Sequence, residues 1–183
     1  MDGSPIAPAR VLALAPQRPT QLTAYGEVVK NLGAEHALIV HCCGLDELAA
    51  VGPADAIEVR KGQPTRRFKI DPLEIGVPRC DLKDLAGGDP EENAAILRGV
   101  FAGGDRARGA VADTIALNAG AALYVYGLAG SIQEGYRLAI DKLRSGQVLS
   151  VLDRFASVST CLEKGEPITK APKLAPQPPP IVP

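Results

Sequence analysis

Within seven positions, from His41 to Glu47, the chain places an imidazole, two adjacent thiols and two adjacent carboxylates in the run HCCGLDE. Imidazole and thiols ligate zinc, paired thiols carry redox chemistry, and paired carboxylates hold a hard cation. Spacing weighs against the first two. The cysteines, Cys42, Cys43, Cys80 and Cys161, form no C-x-x-C and match no zinc ribbon or finger. Adjacent cysteines close only a strained ring, so Cys42 and Cys43 are expected as two reduced thiols, as in a reducing intracellular compartment. Asp46 and Glu47 suit Mg2+, which takes one or two carboxylates, several waters and the phosphates of its substrate. That chemistry calls for a phosphorylated partner. The competing reading is that Asp46 or Glu47 caps a turn or short helix, and an isolated LDE does not decide between them. His41 is read either as a proton carrier beside the metal or as a histidine hydrogen-bonded to backbone at a strand end.

These residues need a scaffold, and the flanking pattern supplies one. HALIVHC (36–42) is a short continuous apolar run, as in a strand buried on both faces. Before it, QLTAYGEVVKNLG (21–33) repeats Leu22, Tyr25, Val28, Val29 and Leu32 at helical steps and ends on Gly33. Helix followed by buried strand is half of a crossover unit. His41 and Cys42 then end the strand and Gly44 begins the turn, which puts Asp46 and Glu47 where open α/β sheets gather their ligands.

After the site, DAIEVRKGQPTRRFKI (55–70) reads as a hairpin with KGQP as its turn. Glu58, Arg60, Arg67 and Lys69 alternate with apolar residues, so one face is expected to be wet. GGDPEENAAILRGVFAGG (87–104) carries helix punctuation in Asp89, Pro90 and Glu92. RGAVADTIALNAGAALYVYG (108–127) is a long alanine-rich helix in which Asn118 is expected to be a buried structural tie. SIQEGYRLAIDKLRSG (131–146) opens with Ser131 and Glu134 at capping-box spacing, and QVLSVLDRFASVS (147–159) continues as a shorter helix.

The chain of 183 residues suffices for one compact core. Its domain division is expected as an irregular leader at 1–20, an α/β body at 21–160 and a Pro-rich disordered tail at 161–183. With 20 basic against 21 acidic residues the net charge is −1, which leaves no electrostatic footprint for nucleic acid or a membrane surface. Aromatics at 4% with no Trp argue against stacking on single strands. No apolar run approaches a membrane span, and the VLALA patch lacks the basic flank of a secretory signal.

Taken in order, LGAEHALIVHCCGLDELAAVGP, IEVRKGQ, IDPLEIGVPRCDLKDLAGGDPEENAAILRGVFAG, DTIALNAGAALYVYG and SIQEGYRLAIDKLRSGQVLSVLDRF resemble the C-terminal half of anthranilate phosphoribosyltransferase, collinearly from about 21 to 158. The resemblance implies an α/β fold, an incomplete phosphoribosyltransferase α/β domain with a small mixed sheet flanked by helices. It implies transfer of the phosphoribosyl group of phosphoribosyl pyrophosphate to anthranilate in tryptophan biosynthesis, with Mg2+ as cofactor. By the same resemblance Asp46 and Glu47 are the Mg2+ ligands, while His41 and the cysteines gain no role. No catalytic residue and no anthranilate contact is implied within this chain. The family's GTGGD and KHGNR loops have no counterpart among these residues. Feeble turnover by the chain alone is therefore expected, along with exposed apolar edges and loss of most of the family's homodimer contact. HCCGLDE and IGVPRC look most like plant or algal forms, which implies a chloroplast setting in such a source and cytoplasm otherwise. A pyrimidine nucleoside phosphorylase shares the architecture and is the rival enzyme; a non-catalytic remnant or interaction module is the rival of another class.

Overall fold

A computed structural model describes residues 10–13 and 19–168. The strands are β1 (Arg10–Ala13), β2 (His36–Cys42), β3 (Ala54–Arg60) and β4 (Arg66–Ile70), and they form one sheet in the order β1-β2-β3-β4. The helices are α1 (Leu22–Asn31), α2 (Pro72–Ile75), α3 (Pro90–Phe101), α4 (Ala110–Tyr126), α5 (Ile132–Arg144) and α6 (Gln147–Glu163). β1 runs parallel to β2, with Arg10 opposite His36, and the remaining pairs are antiparallel. The expected small mixed sheet flanked by helices is thus present.

β1 corrects the expectation of an irregular leader over 1–20. β2 is buried along its whole length, so its backbone groups on the side away from β3 need ladder partners. RVLA provides them. With α1 between two parallel strands, the helix-strand half-unit becomes a complete crossover. The rest of the leader, 1–9 and 14–18, lies outside the described residues, as does the tail from 169 onward. α6 runs to Glu163 rather than stopping at 159, three residues into the span expected as tail.

The two faces of the sheet bury different sets. Ala37, Ile39, Ile57 and Val59 pack with Leu22 of α1. Leu38, Val40, Cys42, Ala54 and Ala56 pack with Ala112, Ala116, Leu117 and Ala121 of α4. α1 meets the sheet at Gly26, where an added Cβ would lie 3.0 Å from Ile57 Cγ2. That contact turns the helix, so Leu22 and Gly26 are its buried residues. Tyr25, Val28 and Leu32, which share the helical repeat with Leu22, are 46%, 57% and 81% exposed.

The hairpin forms as expected, with Glu58 opposite Arg66 and Asp55 opposite Lys69. Arg67 and Lys69 are exposed, but Glu58 is 4% exposed, which corrects the wet-face reading at that position. β3 is covered on both sides, and Glu58 lies beneath α4. Its Oε1 accepts from Tyr124 (2.6 Å), Arg60 Nε (3.2 Å) and a His36 ring nitrogen (2.9 Å), and its Oε2 from Arg66 (2.8 Å). The β4 edge, with Arg66, Arg67 and Lys69, is basic rather than apolar.

Candidate functional site

The site is the loop between β2 and β3. Cys42 and Leu45 bridge it at its start: Leu45 N–H donates to Cys42 C=O (2.8 Å) and Cys42 N–H to Leu45 C=O (3.2 Å). Between them Cys43 (φ 51°) and Gly44 (φ 90°) both occupy positive φ, the signature of a two-residue primed turn. The Cys42 thiol donates to the carbonyls of Ala49 and Gly52, 3.4 Å each, and burial pushes its pKa up. All four cysteines are free, Cys42 and Cys161 buried and Cys43 exposed.

A second clamp comes from α4. Leu48 N–H donates to Asn118 Oδ1 (3.0 Å), and Asn118 Nδ2 donates to Leu48 C=O (2.6 Å) and Thr114 C=O (3.0 Å). Asn118 is the tie that the sequence suggested, although half-buried, and its partner lies 70 residues away. Asp46 and Glu47 stand between the clamps and both are exposed. Among the described residues no donor or cation engages either carboxylate. Partial burial first, then the charge of Asp46, raises the pKa of Glu47. His41 is buried at the end of β2, in register with Asp55.

Glu47 borders a cavity of about 470 Å³ that Asn93, Ile96, Thr114, Ile115 and Asn118 also line. The Thr114 hydroxyl is buried and has no hydrogen-bond partner among the described residues. Sequence reasoning passed over Thr114, although a hydroxyl one turn before Asn118 in an alanine-rich helix was the available signal. A larger cavity of about 560 Å³, lined by His36, Arg60, Lys61 and Tyr124, lies at the opposite end of the sheet. There Glu58 is already saturated by protein donors, which marks that end as a structural tie.

The donor set at the loop fits Mg2+. Two neighbouring carboxylates, free of protein cations and open to solvent, would leave room for waters and phosphate oxygens. No group of three or more His, Cys, Asp or Glu side chains gathers among the described residues. No helix of the described residues is long and apolar enough to cross a membrane.

Comparison with known proteins agrees with this fold. The chain is 45% identical over 134 residues to anthranilate phosphoribosyltransferase 2 of Streptomyces coelicolor, covering 73% of this chain and 39% of that enzyme. It is 47% identical over 134 residues to the anthranilate phosphoribosyltransferase of Rubrobacter xylanophilus, covering 38% of it. Among solved structures, anthranilate phosphoribosyltransferase from Thermus thermophilus superposes with a TM-score of 0.71 at 38% identity, over 80% of this chain and 42% of that one. The Saccharomyces cerevisiae enzyme in complex with PRPP and Mg gives a TM-score of 0.61 at 25% identity, over 71% of this chain and 37% of that one. The chain spans less than half the length of these relatives. Residues 5–149 match the model described as "Glycosyl transferase family, a/b domain", and the chain belongs to that family.

Proposed function

We propose that this chain serves the phosphoribosyl transfer of anthranilate phosphoribosyltransferase, joining the ribosyl group of phosphoribosyl pyrophosphate to anthranilate in tryptophan biosynthesis. Its part is the diphosphate end of the reaction. Cleavage of the ribose–diphosphate bond builds positive charge on the sugar and negative charge on the leaving group, so the protein's contribution is positioning and electrostatics. Asp46 and Glu47 would hold Mg2+, which neutralises the departing diphosphate when bound. The carboxylates carry the charge, and the β2–β3 loop leaves both exposed to solvent.

The observation that carries this reading is the exposed acidic pair on a loop clamped at both ends, with Glu47 bordering a cavity, in a chain 45% identical to a phosphoribosyltransferase of this kind. The relative solved with PRPP and Mg supports the choice of phosphoribosyl pyrophosphate and Mg2+ as the ligands to test. Nothing on this chain is assigned to anthranilate. An intracellular setting goes with the pathway, and a chloroplast in a plant or algal source.

The test is calorimetric titration of phosphoribosyl pyrophosphate into the chain with and without Mg2+. Binding is expected only with the metal and is abolished in Asp46→Asn with Glu47→Gln, while helical content by circular dichroism stays the same. Unaltered binding by that variant would count against the metal role. Binding of phosphate and a pyrimidine nucleoside in its place would favour a nucleoside phosphorylase. Addition of anthranilate to the same mixture is expected to give feeble turnover.

A further inference from the structure

We infer that Asn118 is a positioning residue for the Asp46–Glu47 pair, holding the two carboxylates in register through the backbone of Leu48. This rests on the metal role just proposed. Two like-charged side chains on adjacent residues repel one another and tend to splay. The loop opposes this at one side through the Cys42–Leu45 bridge and at the other through Asn118 alone among the described side chains bonded to Leu48. The amide engages both the N–H and the C=O of Leu48, so it holds the Glu47–Leu48 peptide through its N–H and the Leu48–Ala49 peptide through its C=O. Its third bond, to Thr114 C=O, fixes the amide itself on α4.

The Leu48 N–H belongs to the peptide that joins it to Glu47, so the orientation of that Glu47–Leu48 peptide constrains where the Glu47 side chain leaves the loop. The Asn118 amide is committed to the backbone of Leu48 and Thr114, so its effect on the metal would run through the loop. Outer groups that orient metal ligands typically change affinity by roughly 10–100-fold when removed.

The experiment compares Asn118→Ala with Val125→Ala, a cavity-forming change in the same helix at a residue 2% exposed and away from the loop. Bound Mn2+ is counted by electron paramagnetic resonance in the presence of inorganic diphosphate, alongside thermal unfolding and hydrogen exchange at the Leu48 amide. Asn118→Ala is expected to weaken Mn2+ binding by about ten-fold and speed Leu48 exchange, with Val125→Ala changing neither. If Asn118→Ala does not fold, Asn118→Ser, which keeps one hydrogen-bonding group, is read in its place and a smaller loss is expected. Equal weakening by both sites, or none at Asn118, overturns the positioning role. Failure of the underlying metal reading looks different: the unaltered chain would then bind Mn2+ no better than Asp46→Asn with Glu47→Gln, which overturns both.

Discussion

Glu58 shows how one buried carboxylate can govern the acid stability of the sheet. Burial alone would raise its pKa. The hydrogen bonds from Tyr124, His36 and Arg66 and the charge of Arg60 outweigh that and bring it down to about 2. A carboxylate lowered on folding stabilises the protein above its unfolded pKa and loses that contribution as pH falls through the folded value. The window here runs from about 4.5 down to about 2, and the displacement is worth on the order of 3 kcal/mol. Urea unfolding of the native chain is expected to lose that stability across the window. Glu58→Gln starts weaker at pH 7 by about 3 kcal/mol, because Arg60 and Arg66 lose their buried partner. Its stability is expected to be nearly flat over the same window, and parallel curves for the two proteins would contradict this account. Nothing in the local pattern announced the role: Glu58 alternates with Arg60 as a wet strand does, and its partner Tyr124 lies 66 residues away. The acidic doublet was legible in type and loop position, but the clamp on its loop was not, since Leu48 and Asn118 meet only in the folded chain.

The elements were legible where their signals are local. Asp89 caps α3 and Glu92 returns the bond, and Ser131 caps α5 by accepting from Glu134 N–H. Glu134 departs from the reciprocal pattern and accepts from Gly130 N–H. The facing of α1 was not legible, because the small residue Gly26, rather than the larger apolar ones, decides which side approaches the sheet. A similar close approach joins α4 to α5. A Cβ at Gly120 would collide with the backbone nitrogen of Tyr136, and one at Gly135 with the carbonyl oxygen of Gly120. Both obstacles are main chain, so relief requires moving a helix that carries Asn118. Gly120→Ala is therefore expected to destabilise by about 3 kcal/mol despite the ~1 kcal/mol gain in helix propensity. Gly99→Ala in α3, where nothing lies within 4 Å of the added Cβ, isolates that gain and is expected to stabilise by up to ~1 kcal/mol. Thermal unfolding of the two variants decides the matter, and a stabilised Gly120→Ala would show that the helices have room to spare.

At the scale of the whole molecule, the apolar surface sits on helices rather than on the β4 edge. Tyr25, Val28 and Leu32 recur along α1, and Val151, Phe155 and Leu162 along α6, with Leu32 81% and Phe155 70% exposed. The relatives are more than twice as long as the stretch they share with this chain. Helical periodicity announced the α1 stripe correctly as apolar, but periodicity reports a face and not what covers it. The β4 edge carries Arg66, Arg67 and Lys69, and charge at a strand edge discourages pairing with another chain. The charge balance of −1 adds little repulsion between molecules, so the two stripes should dominate how the isolated chain behaves in solution. The chain is expected to bind an apolar dye such as anilinonaphthalene sulfonate in the native state, before any unfolding transition. Leu32→Lys with Phe155→Glu should remove most of that fluorescence. Because both positions are exposed, the melting temperature should stay within about 2 °C of the native chain. A melting temperature that drops by about 10 °C or more would mean that these side chains are buried in solution, and the outward facing of both helices would be wrong.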